Sequence, residues 1–132
     1  MTPRELMDAL CDCRSEWAGR REAIHEDALY YVSIAEFGHE LFTALVEGEA
    51  GEWASRAFEV IERAFDSEET ATLLVTGMFE PMQNDSYRRG PDDLVESRLG
   101  PRALRAWANL IEGWTGAGIR TVAQWRAKAS SD

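Results

Sequence analysis

Two Glu-x-x-His steps carry the clearest chemical potential in this chain: Glu22 with His25, and Glu36 with His39, where Glu40 adds a second carboxylate. On a helix, side chains three and four apart share a face, and di-iron bundles build metal sites from this spacing. Such a site needs two helices bearing the step and two more inward glutamates. His25 and His39 are only 14 residues apart, which leaves no room for an intervening bundle helix. On one helix, at ~1.5 Å per residue, they would stand about 20 Å apart, too far for one metal pair. With 24 acids present, chance matches are expected. The spacing therefore reads first as a solvated helix face with ordinary histidines. A small metal-dependent enzyme using Glu36, His39 and Glu40 is the lesser alternative.

The two cysteines, Cys11 and Cys13, are spaced C-x-C in a helical pattern. Residues two apart point away from each other on a helix, so a disulfide between them is geometrically poor. No second Cys or His pair stands at ligand spacing, and the thiols read as small semi-buried hydrophobes in a reducing compartment. No G-x-S-x-G, P-loop or G-x-G-x-x-G is present, and nothing singles out a nucleophile. The expectation is a non-enzyme without cofactor or metal.

The elements that must position these residues are helical. Leu6, Leu10, Cys13 and Trp17 form one stripe, which predicts a first helix from about Pro3 to Arg21 with Pro3 in its first turn. Ser33 with Glu36 has the form of a capping box and opens a second helix. Its stripe is Ile34, Phe37, Leu41 and Leu45, and Gly48 stops it. Trp53, Ala57, Ile61, Ala64 and Phe65 mark a third helix. A fourth, capped by Asp66 or Ser67, runs until Pro81 ends or kinks it. The short connections Gly48–Gly51 and Asp66–Ser67 predict antiparallel neighbours. Gly38 and Gly77 lie inside helical patterns, where each costs about 1 kcal/mol relative to Ala, so close helix crossings are expected there. Leu29–Ile34 and Leu73–Met78 could alternatively be short buried strands.

Gln83–Pro91 reads as the one long polar loop. Pro91 then opens a short helix, with Asp92 and Asp93 facing its positive end. Gly100-Pro101 starts another, lined by Leu104, Trp107, Ile111 and Trp114. Gly116-Ala-Gly118 breaks it before a terminal helix bearing Ile119, Val122 and Trp125. The five tryptophans fall on apolar stripes and read as core, with one or two available as interface anchors. The fold expected is all-α: one domain over 1–132, a compact array of about six to seven helices in antiparallel hairpins, as a bundle or a short HEAT-like stack.

Charge separates the function classes. The formal balance is −10 from 24 Asp+Glu against 14 Lys+Arg, which counts against nucleic-acid and anionic-membrane binding, since both reward a basic face. No segment approaches the length of a membrane span, no apolar signal core opens the chain, and a cytoplasmic protein is expected. Between Glu22 and Glu69 there are 13 acids and two bases, Arg56 and Arg63, a local balance of −11. The rest of the chain is nearly neutral. Solvated acidic helices are common, but a regional acidic surface also suits a basic partner, which it would steer electrostatically.

The stretches Gly77-Met-Phe-Glu-Pro-Met-Gln-Asn84 and Leu99-Gly-Pro-Arg-Ala-Leu-Arg-Ala-Trp107 resemble a small family of bacterial helical domains associated with polymorphic-toxin and contact-dependent inhibition systems, in which such domains act as immunity proteins. The similar core runs from about Tyr31 to Trp114. Pro81 and Met82 stand where the family pattern has an acid-plus-Leu step. Glu80, Gln83 and Asn84 also read as residues that cap and cross-tie helices. The resemblance implies a cytosolic inhibitor, monomeric or a weak homodimer, that neutralises a cognate toxin by stoichiometric binding. A basic effector such as a nuclease suits the charge. The carboxylates expected at the contact are Glu36, Glu40, Glu47, Glu49, Glu52 and Glu59. A helical scaffold or regulatory adaptor that docks a partner helix through the Trp107–Trp125 region is the alternative.

Overall fold

The computed structural model describes residues 1–91 and 93–131 and is all-α among them, with no strand. Leu29–Ile34 and Leu73–Met78 are therefore not strands; their β-branched and aromatic residues sit in helices whose tertiary contacts outweigh local preference. The α-helices are α1 (Pro3–Cys11), α2 (Ser15–Ala18), α3 (Arg21–Asp27), α4 (Tyr30–Glu47), α5 (Glu52–Arg63), α6 (Glu68–Leu74), α7 (Glu80–Arg89), α8 (Pro101–Thr115) and α9 (Val122–Ser131). Setting aside one-turn α2 leaves eight, slightly more than the sequence pattern indicates.

The extra helices come from a break in the first stripe. Thr2 and Glu5 form a reciprocal capping box at the start of α1, with Pro3 in the first turn. The helix stops at Cys11 instead of running to Arg21, because Arg14 adopts an extended conformation. Leu6, Leu10, Cys13 and Trp17 are all buried nonetheless. The break turns Trp17 onto Phe37 of α4, their rings 4.4 Å apart and stacked. A second break separates α2 from α3, and Ala28 ends α3 at φ 53°.

Helix α4 begins at Tyr30, so Ser33 lies inside it and its N–H bonds the Leu29 carbonyl. The Ser33/Glu36 pair is thus no capping box. His25 holds the earlier turn in place by bonding Tyr30 Oη at 3.2 Å and Asp8 Oδ1 at 2.7 Å. Gly48, at φ 71°, closes α4 as expected. Although the link to α5 is short, α4 packs mainly on α7 and on the turn between α6 and α7. Helix α5 has α1 and α8 as its neighbours instead.

Pro81 does not end its helix; the backbone instead departs from α geometry in the turn before it. Residues Val75–Phe79 form a π turn joining α6 to α7, in which the Glu80 N–H reaches the Val75 carbonyl. Proline would clash with the carbonyl four residues before it, and the wider turn relieves that clash. Gln83–Arg89 is therefore helix rather than loop. Its C-terminal carbonyls are supplied from afar: Arg126 of α9 donates to Tyr87 O at 3.0 Å, to Gly90 O at 2.6 Å and to Ser86 O. Gly38 and Gly77 meet at one crossing. A Cβ at Gly77 would stand 2.4 Å from Ile34 Cγ2, and one at Gly38 would stand 2.8 Å from Met78 Cγ.

The expected short helix after Pro91 involves Asp92, which lies outside the described residues. A 3-10 turn follows at Glu96–Arg98. Glu62 of α5 then caps α8 from a distance. It accepts the Ala103 N–H at 2.9 Å, the Arg102 N–H at 3.2 Å and the Arg102 side chain at 2.9 Å. Trp107 and Ile111 are buried, whereas Leu104 and Trp114 of the expected stripe are exposed. Gln83 is fully buried and ties α7 to α8, donating to Trp107 O at 2.9 Å and accepting from Trp114 Nε1 at 3.1 Å.

Candidate protein-binding face

Helical periodicity places Glu36, Glu40 and Glu47 on one stripe of α4, with His39 and Thr43 beside them, opposite the buried Ile34, Phe37 and Leu41. Glu40, Glu47 and Glu49 line a shallow groove of about 300 Å³ with Arg14, His39, Thr43 and Ala44. Glu36 lies one turn away from Glu40. The structure therefore brings four of the six expected carboxylates to one side of the molecule.

These four are not equivalent. Glu40 takes a two-pronged pair from Arg20 at 2.6 and 2.8 Å, fixing the α2–α3 segment to α4. The Arg20 hydrogen bonds hold its carboxyl below the usual carboxylate range against the opposing effect of burial. The buried Trp17 indole N–H faces the same carboxylate and adds to that stabilisation. Glu36, Glu47 and Glu49 are exposed and take part in none of the ion pairs among the described residues. Arg14, the one base in the groove, lies 4.3 Å over the Trp53 ring and pairs with Glu16.

Glu52 and Glu59 sit apart on α5. Glu52 projects into solvent, 3.9 Å from Arg56. Glu59 lines one hollow with Arg56 and Arg63 and another with Arg98, so bases partly offset it. Two further acids of the −11 segment are committed to the fold: Arg102 pairs with both Glu62 and Asp66. Burial raises the Glu62 pKa, but the Ala103 N–H and Arg102 outweigh it, leaving the carboxyl below its usual range.

The Glu36, His39 and Glu40 set does not converge. His39 Nδ1 lies 3.2 Å from Asp85 Oδ2 on α7, while Glu40 turns to Arg20. Among the described residues, no group of three or more His, Cys, Asp or Glu could hold a metal ion. Glu22 is exposed, and His25 bonds Asp8 and Tyr30 instead. Cys11 and Cys13 are buried free thiols, and burial raises the pKa of both. No helix among the described residues is long and apolar enough to cross a membrane.

Sequence reading missed an apolar feature beside the acids. Leu29, Tyr31 and Val32, at the mouth of α4, are 58%, 52% and 53% exposed. The available signal was that they fall off the Ile34–Phe37–Leu41 stripe within the acidic stretch. No family model, curated protein or solved structure matches the chain.

Proposed function

We propose that this chain is an immunity- or antitoxin-type protein that neutralises a cognate bacterial toxin, a basic effector such as a nuclease, by stoichiometric binding. The observation that carries the reading is the uncommitted acidity of one side of α4. Glu36, Glu47 and Glu49 are exposed and outside every ion pair described, next to Glu40 in a groove with one engaged arginine. A fold that needed these charges internally would pair them, as it pairs Glu40, Glu62 and Asp66. Unpaired carboxylates on α4 and in the loop just after it raise the on-rate for a basic partner and select against acidic ones. They also occlude a cationic nucleic-acid cleft by occupying it.

Co-expression with the product of the adjacent open reading frame tests the proposal. The expected result is a one-to-one complex that suppresses the toxicity of that product. Absence of a complex at micromolar concentration would sink it. The adaptor reading has one observation in its favour: Trp114 and Leu104, on α8, are 52% and 40% exposed.

A further inference from the structure

The mouth of α4 combines two kinds of surface. Leu29, Tyr31 and Val32 form an exposed apolar ridge where the chain leaves the left-handed turn at Ala28. Beside it opens a hollow of about 210 Å³ between α1, α4 and α6, walled by Pro3, Ala28, Tyr30, Tyr31 and Leu73, with Glu69 at its edge. That volume suits one large apolar side chain. Acids border the ridge along the sequence: Glu26 and Asp27 immediately before it, Glu36 one turn after Val32, and Glu68 beside Glu69. All are exposed, and none belongs to an ion pair among the described residues.

We infer that this corner is the anchor of the partner interface. On that account, an aromatic or long aliphatic side chain of the partner seats in the hollow, and Lys or Arg residues flanking it meet Glu26, Asp27, Glu36 and Glu69. The inference rests on the inhibitor reading above and adds the chemistry and place of its central contact. Charge complementarity selects the occupant. A second copy of this chain would bring the same acids against one another, whereas a basic segment with an apolar tip satisfies both ridge and rim. Interfaces draw most of their energy from a few desolvated anchors, with a polar rim setting orientation and rate. The α4 groove is larger but lined mostly by charged and polar residues, so it offers an apolar anchor less to pack on.

A random 12-residue peptide library selected on the whole protein tests this directly. Enrichment of peptides with one Trp, Phe, Tyr or Leu between basic residues is expected. Tyr31→Ser, in the wall of the hollow, and Val32→Ser, on the ridge beside it, are both at exposed positions and should each weaken those peptides at least tenfold. Replacing the peptide's apolar residue by Ser should cost a similar factor. Enrichment of basic peptides without an apolar residue, bound equally by both variants, overturns the anchor and leaves the acidic-face reading standing. Enrichment without any basic bias overturns both. A concentration-dependent dimer that Val32→Ser dissolves assigns the ridge to self-association and overturns the inference.

Discussion

At the scale of single residues, the carboxylates divide into those that build the molecule and those left to solvent. Glu40 and Glu62 belong to the first group, and both have carboxyls held below their ordinary value near 4.5. A depressed folded-state pKa adds stability that is complete above the unfolded value and is lost as pH falls through the folded value. Acid unfolding should therefore set in below about pH 4.5, and Glu40→Gln should flatten that limb while lowering stability at pH 7 by about 1 kcal/mol, since the pair with Arg20 is partly exposed. Chemical denaturation across pH 3–7 checks both; an unchanged acid limb would show that Arg20 does not govern it. Gln83→Ala should cost about 2 kcal/mol by opening a cavity and removing two hydrogen bonds. It should also red-shift Trp fluorescence as the Trp114 indole turns to water, and an unshifted spectrum would contradict the cross-tie. The reading of Gln83 as a helix cross-tie holds, while its polar neighbours made Gln83–Pro91 look like loop and hid that the side chain is buried.

At the scale of elements, the glycines at the α4 crossing make unequal demands. A methyl at Gly77 meets a buried branched Ile34 at the closer approach, whereas one at Gly38 meets the Cγ of the buried but unbranched Met78. Gly77→Ala should thus be the more damaging. Its overpacking penalty of roughly 1–3 kcal/mol exceeds the gain of about 1 kcal/mol in helix propensity. Gly38→Ala should also destabilise, but by less, because the unbranched Met78 repacks more readily than Ile34, and thermal melts of the two variants rank them. Ala28→Gly relieves the left-handed backbone and should raise stability by about 0.5–1 kcal/mol; a loss would mean that the Ala28 methyl packs usefully at the corner. The crossing was readable in advance, because two glycines inside strong helical patterns have few other uses. The π turn at Val75–Phe79 was not: Pro81 argued for a stop or a kink without saying which, and the packing of α4 and α8 on that turn favours continuation. The first helix failed for the same reason, as the Trp17–Phe37 stack outweighs the few backbone hydrogen bonds that a continuous helix would have kept.

At the scale of the molecule, the regional charge makes a prediction about any complex it forms. Changing Glu36, Glu47 and Glu49 to Lys reverses three exposed, unpaired charges and should leave folding intact. It should slow association with a basic partner and shrink the salt dependence of the rate. Stopped-flow association at several ionic strengths measures this, and an unchanged salt slope would place the contact elsewhere. The sequence by itself determined the helical class, the α4 boundary at Gly48, the glycine crossing and the confinement of acidity to Glu22–Glu69, because each is local in the chain. Periodicity, capping and composition act over a few residues. Only the tertiary structure decided which acids are free. Arginines 20 and 40 residues distant in sequence claim Glu40 and Glu62, and long-range pairing has no local pattern to announce it. The same physics left Leu29, Tyr31 and Val32 exposed: burial depends on what packs above a residue, and nothing described covers the mouth of α4.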